Sequence, residues 1–243
     1  MNINKLFNLF FFPYLCNAYI YKKPIKSNLN GFELGIATYT TGILMDNTIS
    51  KKSLAKLNTC NKDLYTSGMK TSLNNLLLYG PIFYLGVDNL LINDHTSNAN
   101  LVETIEILLT HSVGYYCSHR LMHRSDLFRK YHNYHHKFNE TLIPSIGNSV
   151  SIYEFTFAYM SPFIISASIF NPNINSFNLA ILIVSFMNLV IHTPELSEKK
   201  WSNYFVSPKT HLNHHQGKNK NSTYSAPTLN LEFIFNKFKS IFE

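Results

Sequence analysis

Three short histidine-rich strings constrain this chain more than anything else in it. They are His119-Arg-Leu-Met-His123, His132-Asn-Tyr-His135-His136 and His211-Leu-Asn-His214-His215, and together they hold eight of its 11 histidines. Residues three and four apart share a helix face, so the first string offers two imidazoles to one point and each of the others offers two or three. His132 follows His119 by 13 positions, a net rotation near 220° on a straight helix at about 100° per residue. The chain must therefore turn between them, and Ser125-Asp126 is a cap at which a second helix can begin. A lone histidine is usually a packed polar residue. Eight clustered imidazoles would repel one another if protonated and would need many partners if neutral, whereas a shared cation satisfies them all. Imidazole ligation without thiolate suits iron, zinc, copper or nickel. Eight ligands are too many for one ion, and two ions with three or four histidines each leave open positions, the mark of a site that does chemistry.

The rest of the chain points to a membrane around this site. Charged residues are only 14% of the 243 residues and hydrophobic ones 45%, with 19 Phe and 15 Tyr. Soluble domains average about 25% charged, so much of the polar coat of a soluble surface is missing. Apolar stretches run from Gly31 to Met45, Leu73 to Ile92, Leu101 to Cys117, Val150 to Phe170 and Ile174 to Ile191, the last two forming a helical hairpin split by Asn171-Pro172-Asn173. A span takes about 20 mostly apolar residues. The expected fold is all-α, an integral membrane helical bundle of about four spans with a cytosolic helical cap that holds a histidine-rich dimetal site. Residues 1–72 read as N-terminal apolar segments followed by a polar loop over 46–72 with Lys51, Lys52, Lys56 and Lys62, and residues 73–243 as the membrane domain that carries the site. Leu6 to Tyr21, broken by Pro13, reads as an uncleaved anchor or interfacial helix, with a secretory signal as the alternative. Two basic segments, Ser118 to Asn148 and Ser197 to Ser222, carry the strings, and the positive-inside rule puts both on the cytosolic face. The net charge of +7 comes with no nucleic-acid motif, and Cys16, Cys60 and Cys117 are too few for a disulfide framework.

In their order and spacing the strings resemble the histidine boxes of the fatty acid hydroxylase/sterol desaturase superfamily, membrane oxygenases with a non-haem di-iron centre. Only eight residues separate His123 from His132, unlike the acyl-CoA desaturases, whose first two boxes flank a membrane passage. HRLMH before YHNYHHKF, and SPKTHLNHHQGKN before LNLEFIFNKF, look most like the C-5 sterol desaturase and alkylglycerol monooxygenase branches. The resemblance implies two iron ions, which zinc can replace in purified protein, and the O2-dependent hydroxylation or desaturation of a membrane lipid, whether a sterol, a fatty acyl or an alkyl chain. It implies as metal ligands His119, His123, His132, His135, His136, His211, His214 and His215, together with His192 at the end of the hairpin. With no Rossmann or flavin fingerprint in the chain, electrons would come from an external donor such as cytochrome b5 or a pterin. An endoplasmic-reticulum-like membrane is the implied location in a eukaryotic host; the oligomeric state stays open.

Other residues read differently. His111, about 80° round the helix from His119, reads as packing beside the site rather than as a ligand, and His95 as a solvated loop residue. Arg120, Arg124, Arg129, Lys130 and Lys137 form a basic rim suited to a lipid head group or an acidic electron carrier, or serve as membrane anchors. The chain departs from the superfamily pattern at Ser112, where relatives carry an acid, at Ser151-Ile-Tyr-Glu154 and at Thr223-Tyr224-Ser225; these differences leave the ligands intact and bear on the substrate. The rival readings are a non-catalytic metal-binding membrane protein or metal transporter, whose ligands belong at mid-membrane, and a metal-assisted lipid hydrolase with Glu140, Glu154 or Glu195 as its base.

Overall fold

The computed structural model describes residues 30–139, 142–217 and 223–242; the anchor expected at Leu6 to Tyr21 lies outside them. The described residues are helical, with one isolated bridge between Phe205 and Leu229. α1 (Gly31–Thr48) and α2 (Lys51–Cys60) precede α3 (Lys62–Asn74), which runs through a π-helical turn at Asn75–Tyr79 into α4 (Gly80–Leu91). α5 (Leu101–Arg124) leads directly into the short α6 (Asp126–His132). α7 (Ile152–Glu154) passes through a second π turn at Phe155–Met160 into α8 (Ser161–Phe170), and α9 (Ile174–Ile191) returns beside it. α10 (Pro208–His215) and α11 (Leu231–Phe242) close the chain.

Asparagine decides where several of these helices begin. Asn30 forms a capping box with Glu33, Asn100 accepts from the Val102 amide and Asn173 from that of Ser176, each satisfying a backbone donor that the first turn leaves open. The hairpin expected at 150–191 forms, and Asn171 ends α8 at φ 45°, a left-handed conformation that asparagine tolerates better than most residues. Asn93 bonds Asn171 at 3.0 Å, Asn173 bonds Glu103 at 2.8 Å and Asn175 bonds the Ser97 carbonyl at 2.8 Å. These bonds tie the α4–α5 loop to the hairpin and close one end of the bundle. The histidines lie at the other end.

Among the described residues only α9 is long and apolar enough to cross a membrane, and it is the central, mostly buried helix. α4 and α8 count only 12 and 10 residues because a π turn interrupts the helical rod that each belongs to. Their outer faces are nonetheless apolar: Leu78, Ile82 and Leu85 in the α4 rod, Val102, Ile105, Leu109 and Val113 on α5, and Ile165 and Ile169 on α8 are all exposed at helical spacing. An exposed stripe of this kind demands an apolar neighbour.

Residues 46–72, expected as a polar loop, are instead mostly helical, as α2 and α3. Their lysines face outward while one stripe, Leu54, Leu57, Leu64, Tyr65 and Met69, packs on Phe138, Leu142, Ile143 and Ile146. A solvated outer face hid a single buried one. The expected boundary after residue 72 falls inside the continuous helical run Lys62–Leu91.

α1 meets that rod where Gly35 lies against the π turn. A Cβ built on Gly35 would stand 2.0 Å from the Leu76 carbonyl oxygen, and backbone cannot rotate away as a side chain can. Gly35→Ala should therefore cost about 1–3 kcal/mol, read as a lower thermal unfolding midpoint in detergent; an unchanged midpoint would show that the two helices separate freely.

Candidate metal centre

Five pieces of chain bring histidines to one end of the bundle. His119 and His123 sit one turn apart at the end of α5. The turn expected at Ser125-Asp126 is present: Ser125 has extended backbone and starts α6, although its side chain makes no cap bond. His132 ends α6, and His135 and His136 open a 3-10 turn, His135–Phe138. His192 follows the last residue of α9. His211, His214 and His215 lie on α10, whose first turn is capped by the Ser207 hydroxyl accepting from the Thr210 amide at 3.1 Å.

The nine histidines singled out from the sequence gather into two groups. His119, His123, His132, His136 and His214 have ring nitrogens all within 4.8 Å of one another, and so do His135, His192, His211 and His215. Eight of the nine are buried and His136 is half-buried. The two H-x2-H-H strings are used in opposite senses. His132 and His136, one turn apart, join the first group while His135 between them goes to the second; His211 and His215 join the second while His214 goes to the first. On α10 this follows from helix geometry, since His214 points about 60° from His211 and about 100° from His215.

Hydrogen bonding on the outer edge of the rings determines what faces inward. The Nδ1 of His119 meets the Tyr224 carbonyl at 3.1 Å, that of His132 the Glu154 carboxyl at 2.7 Å and that of His192 the Asn188 carbonyl at 2.6 Å. His135 reaches the Ser149 carbonyl with Nδ1 at 3.4 Å. A carbonyl accepts only from N–H, so the proton sits on Nδ1 and Nε2 carries a bare lone pair. Those Nε2 atoms then face one another at 3.0 Å for His119 and His132 and at 3.4 Å for His135 and His192. Two lone pairs at such a separation repel; a cation between them attracts both.

The spacing fits a metal. Two nitrogens about 2.1 Å from one ion stand about 3.0 Å apart at octahedral angles and about 3.4 Å apart at the tetrahedral angle. Neighbouring Nε2 atoms of the first group are 2.9 to 3.2 Å apart, and those of the second 3.1 to 3.4 Å. Burial, and secondly the crowding of imidazoles, holds His132, His135, His211 and His215 well below the usual imidazole range. They are neutral near pH 7, the state in which histidine binds a metal.

A fatty acid hydroxylase family model matches residues 104–236, more than half of the chain and every one of these nine histidines. The chain belongs to the fatty acid hydroxylase family. No curated protein and no solved structure matches it. Membership makes it an oxygenase-type protein that acts on lipids, and each of its two histidine groups could hold a metal ion.

Four anchors of this fatty acid hydroxylase site were not singled out from its sequence as such. The carbonyls of Tyr224, Ser149 and Asn188 carry no sequence signal. Glu154, considered as a hydrolytic base, instead orients His132. Glu232 on α11 in turn receives the Tyr224 amide and the Ser225 hydroxyl. His111 joins neither group; it is fully buried, with its ring against Phe163 at 4.4 Å. His95 bonds Asp88 at 2.8 Å at the far end. Among the described residues no carboxylate joins either group. Glu195 is held by Ser53, and Glu140 lies outside the described residues. On the rim, Arg129 pairs with Asp126 at 3.0 Å and donates to the His123 carbonyl at 3.1 Å.

Proposed function

We propose that this protein is a membrane di-iron oxidoreductase that uses dioxygen to hydroxylate or desaturate a lipid chain, with His119, His123, His132, His136 and His214 holding one iron and His135, His192, His211 and His215 the other. The observation that carries this reading is the pair of adjacent imidazole groups whose ring nitrogens converge at metal-ligand spacing, with the Nε2 atoms of His119, His135 and His192 turned inward by carbonyls on their Nδ1 side. Iron so bound would supply the activation of dioxygen for attack on an unactivated C–H bond. In hydroxylation one oxygen atom enters that bond and the other leaves as water, with two electrons and two protons from an external donor.

The protein's own residues bind, orient and exclude water. An apolar cavity of about 80 Å³ runs inside the bundle between α1, α4, α5, α8 and α9. Leu34, Tyr84, Phe163 and Phe177 line it, and Asn148 and Asn188 lie at the end where the Asn188 carbonyl holds His192. A chain within it approaches the second group through dry surroundings, as C–H chemistry requires. On the opposite, polar side a pocket of about 170 Å³ touches both groups through His123, His136 and His215, with Arg129, Asn133 and Gln216 around it. That side suits delivery of protons and electrons from a cytochrome b5-type or other donor.

We read α4, α5, α8 and α9, with their π-turn extensions, as four membrane spans and the histidine end as the cytosolic cap. The exposed apolar stripes on α4, α5 and α8 support this, and so does the position of the histidines at helix ends, which disfavours a transporter. The absence of a carboxylate from both groups, among the described residues, disfavours a hydrolase. The sterol desaturase or alkylglycerol monooxygenase likeness bears on the lipid, and the substrate is read here only as a chain-bearing lipid.

The test is expression in membranes with iron measured per chain and lipid profiles compared with the His135→Ala, His136→Ala double variant. Those adjacent residues serve different groups, so the variant takes one ligand from each; it should hold iron more weakly at both and return the host's lipids toward the pattern seen without the protein. Lipid changes that persist in full in the variant would reject a histidine-bound catalytic metal.

A further inference from the structure

A histidine sealed in an apolar cavity without a hydrogen bond costs folding energy, and this chain carries one. His111 is 0% exposed, and neither of its ring nitrogens has a hydrogen-bond partner. The Tyr159 carbonyl is the polar group that interacts with the ring, and it lies outside hydrogen-bond geometry. The ring is held between Phe163 and Tyr115, at 4.4 and 6.1 Å between centroids, and it lines the cavity described above. Three further side chains on that cavity carry a buried polar atom in the same position, one of them the Tyr159 hydroxyl. Asn188 donates to Asn148 at 3.2 Å, which leaves the Asn148 Nδ2 and the Asn188 Oδ1 buried without partners. Such orphaned groups are rare in native proteins and call for a reason. Both π turns border the same space through Leu76, Phe155, Tyr159 and Met160, and π turns gather where helices are shaped for function.

The orphaned atoms specify a ligand. A neutral imidazole offers one donor and one acceptor, the Asn148 Nδ2 offers a donor and the Asn188 Oδ1 an acceptor. A plain hydrocarbon satisfies none of them and a carbonyl only the donors, whereas a hydroxyl both gives and receives. His111 stands eight residues before His119 on α5, about 12 Å along the helix, so an oxygen held there fixes which part of a chain reaches the metal end.

We infer that the substrate is a lipid whose chain already bears a hydroxyl group, and that His111, assisted by Asn148 and Asn188, binds that hydroxyl and sets the position of the chain in the cavity. His111 is a positioning residue in this assignment. The inference rests on the oxygenase reading in taking the cavity as the substrate site, but its test does not need turnover. Iron-loaded protein in detergent is titrated with stearate and with positional isomers of monohydroxystearate, in competition with a fluorescent C18 acid, and iron per chain is measured in parallel. Wild type should prefer one hydroxy isomer over stearate about tenfold, the worth of one buried hydrogen bond. In His111→Phe, which keeps the ring packing, the preference should fall to within about twofold while stearate binding and iron content stay. His111→Gln, which keeps a donor and an acceptor, should restore part of it, and His111→Leu repeats the comparison in case the larger Phe ring does not pack.

A preference unchanged in both apolar variants overturns the inference. So does a wild type that binds stearate and every isomer alike, in which case water satisfies the ring, or one that binds none of them. Absence of iron from the wild type strikes instead at the oxygenase reading, because the hydroxyl comparison is scored on binding alone.

Discussion

Replacing His211 and His215 together by alanine should remove one iron ion per chain and abolish lipid modification, while the other ion stays bound. The two residues sit one turn apart on α10 and point to the same group, which without them retains only His135 and His192. Two imidazoles do not hold a labile divalent ion against solvent, whereas the five-histidine group keeps all its members, including His214 from the same helix. Iron per chain should fall from about two to about one, and activity by more than about a thousandfold, since in the proposed di-iron reaction both ions act as one unit and losses within such a unit do not divide between its parts. The matching variant, His119→Ala, His123→Ala and His214→Ala together, which leaves the first group only His132 and His136, should remove the other ion. Loss of both ions from the first variant, or of neither, would reject the partition of the histidines into two groups.

The second large effect is expected at Glu154. Its side chain is 1% exposed and its carboxyl is hydrogen-bonded to the His132 Nδ1 at 2.7 Å, so it fixes the orientation of that ring and turns its Nε2 toward His119 and His136. Partners of this kind are worth about 10–100-fold in metal affinity or activity. Glu154→Leu should therefore weaken iron retention against a chelator by that factor, and Glu154→Gln, which keeps a hydrogen-bonding group of the same size, by less. Should Glu154→Leu hold iron as firmly as the wild type, His132 would owe its orientation to packing alone.

The difference between these two predictions is also a difference in what can be read from the chain. Periodicity names His211 and His215 as a pair, because residues four apart share a helix face whatever surrounds them. The same local rule gives the break at Ser125-Asp126 and the hairpin at Asn171-Pro172-Asn173. Glu154 is another case: it lies 22 positions from His132, and nothing local links them until α7 is laid beside α6. α2 and α3 escaped notice for a related reason, since the stripe of Leu57, Leu64 and Met69 is recognisable as buried only once Phe138 and Ile146 are there to cover it. The orphaned nitrogens of His111 are likewise a property of the cavity around them.

The sequence by itself determined which imidazoles are available, which helix faces carry them and where the chain turns, because covalent geometry and helical pitch act over a few residues. Only the tertiary structure decided that the neighbours His135 and His136 serve different groups and that His192 joins α10. It also decided that the carbonyls of Tyr224, Ser149 and Asn188 keep protons off the inward nitrogens. Those outcomes depend on distances between elements far apart in the chain, and such distances are fixed only when the apolar faces of the helices have packed.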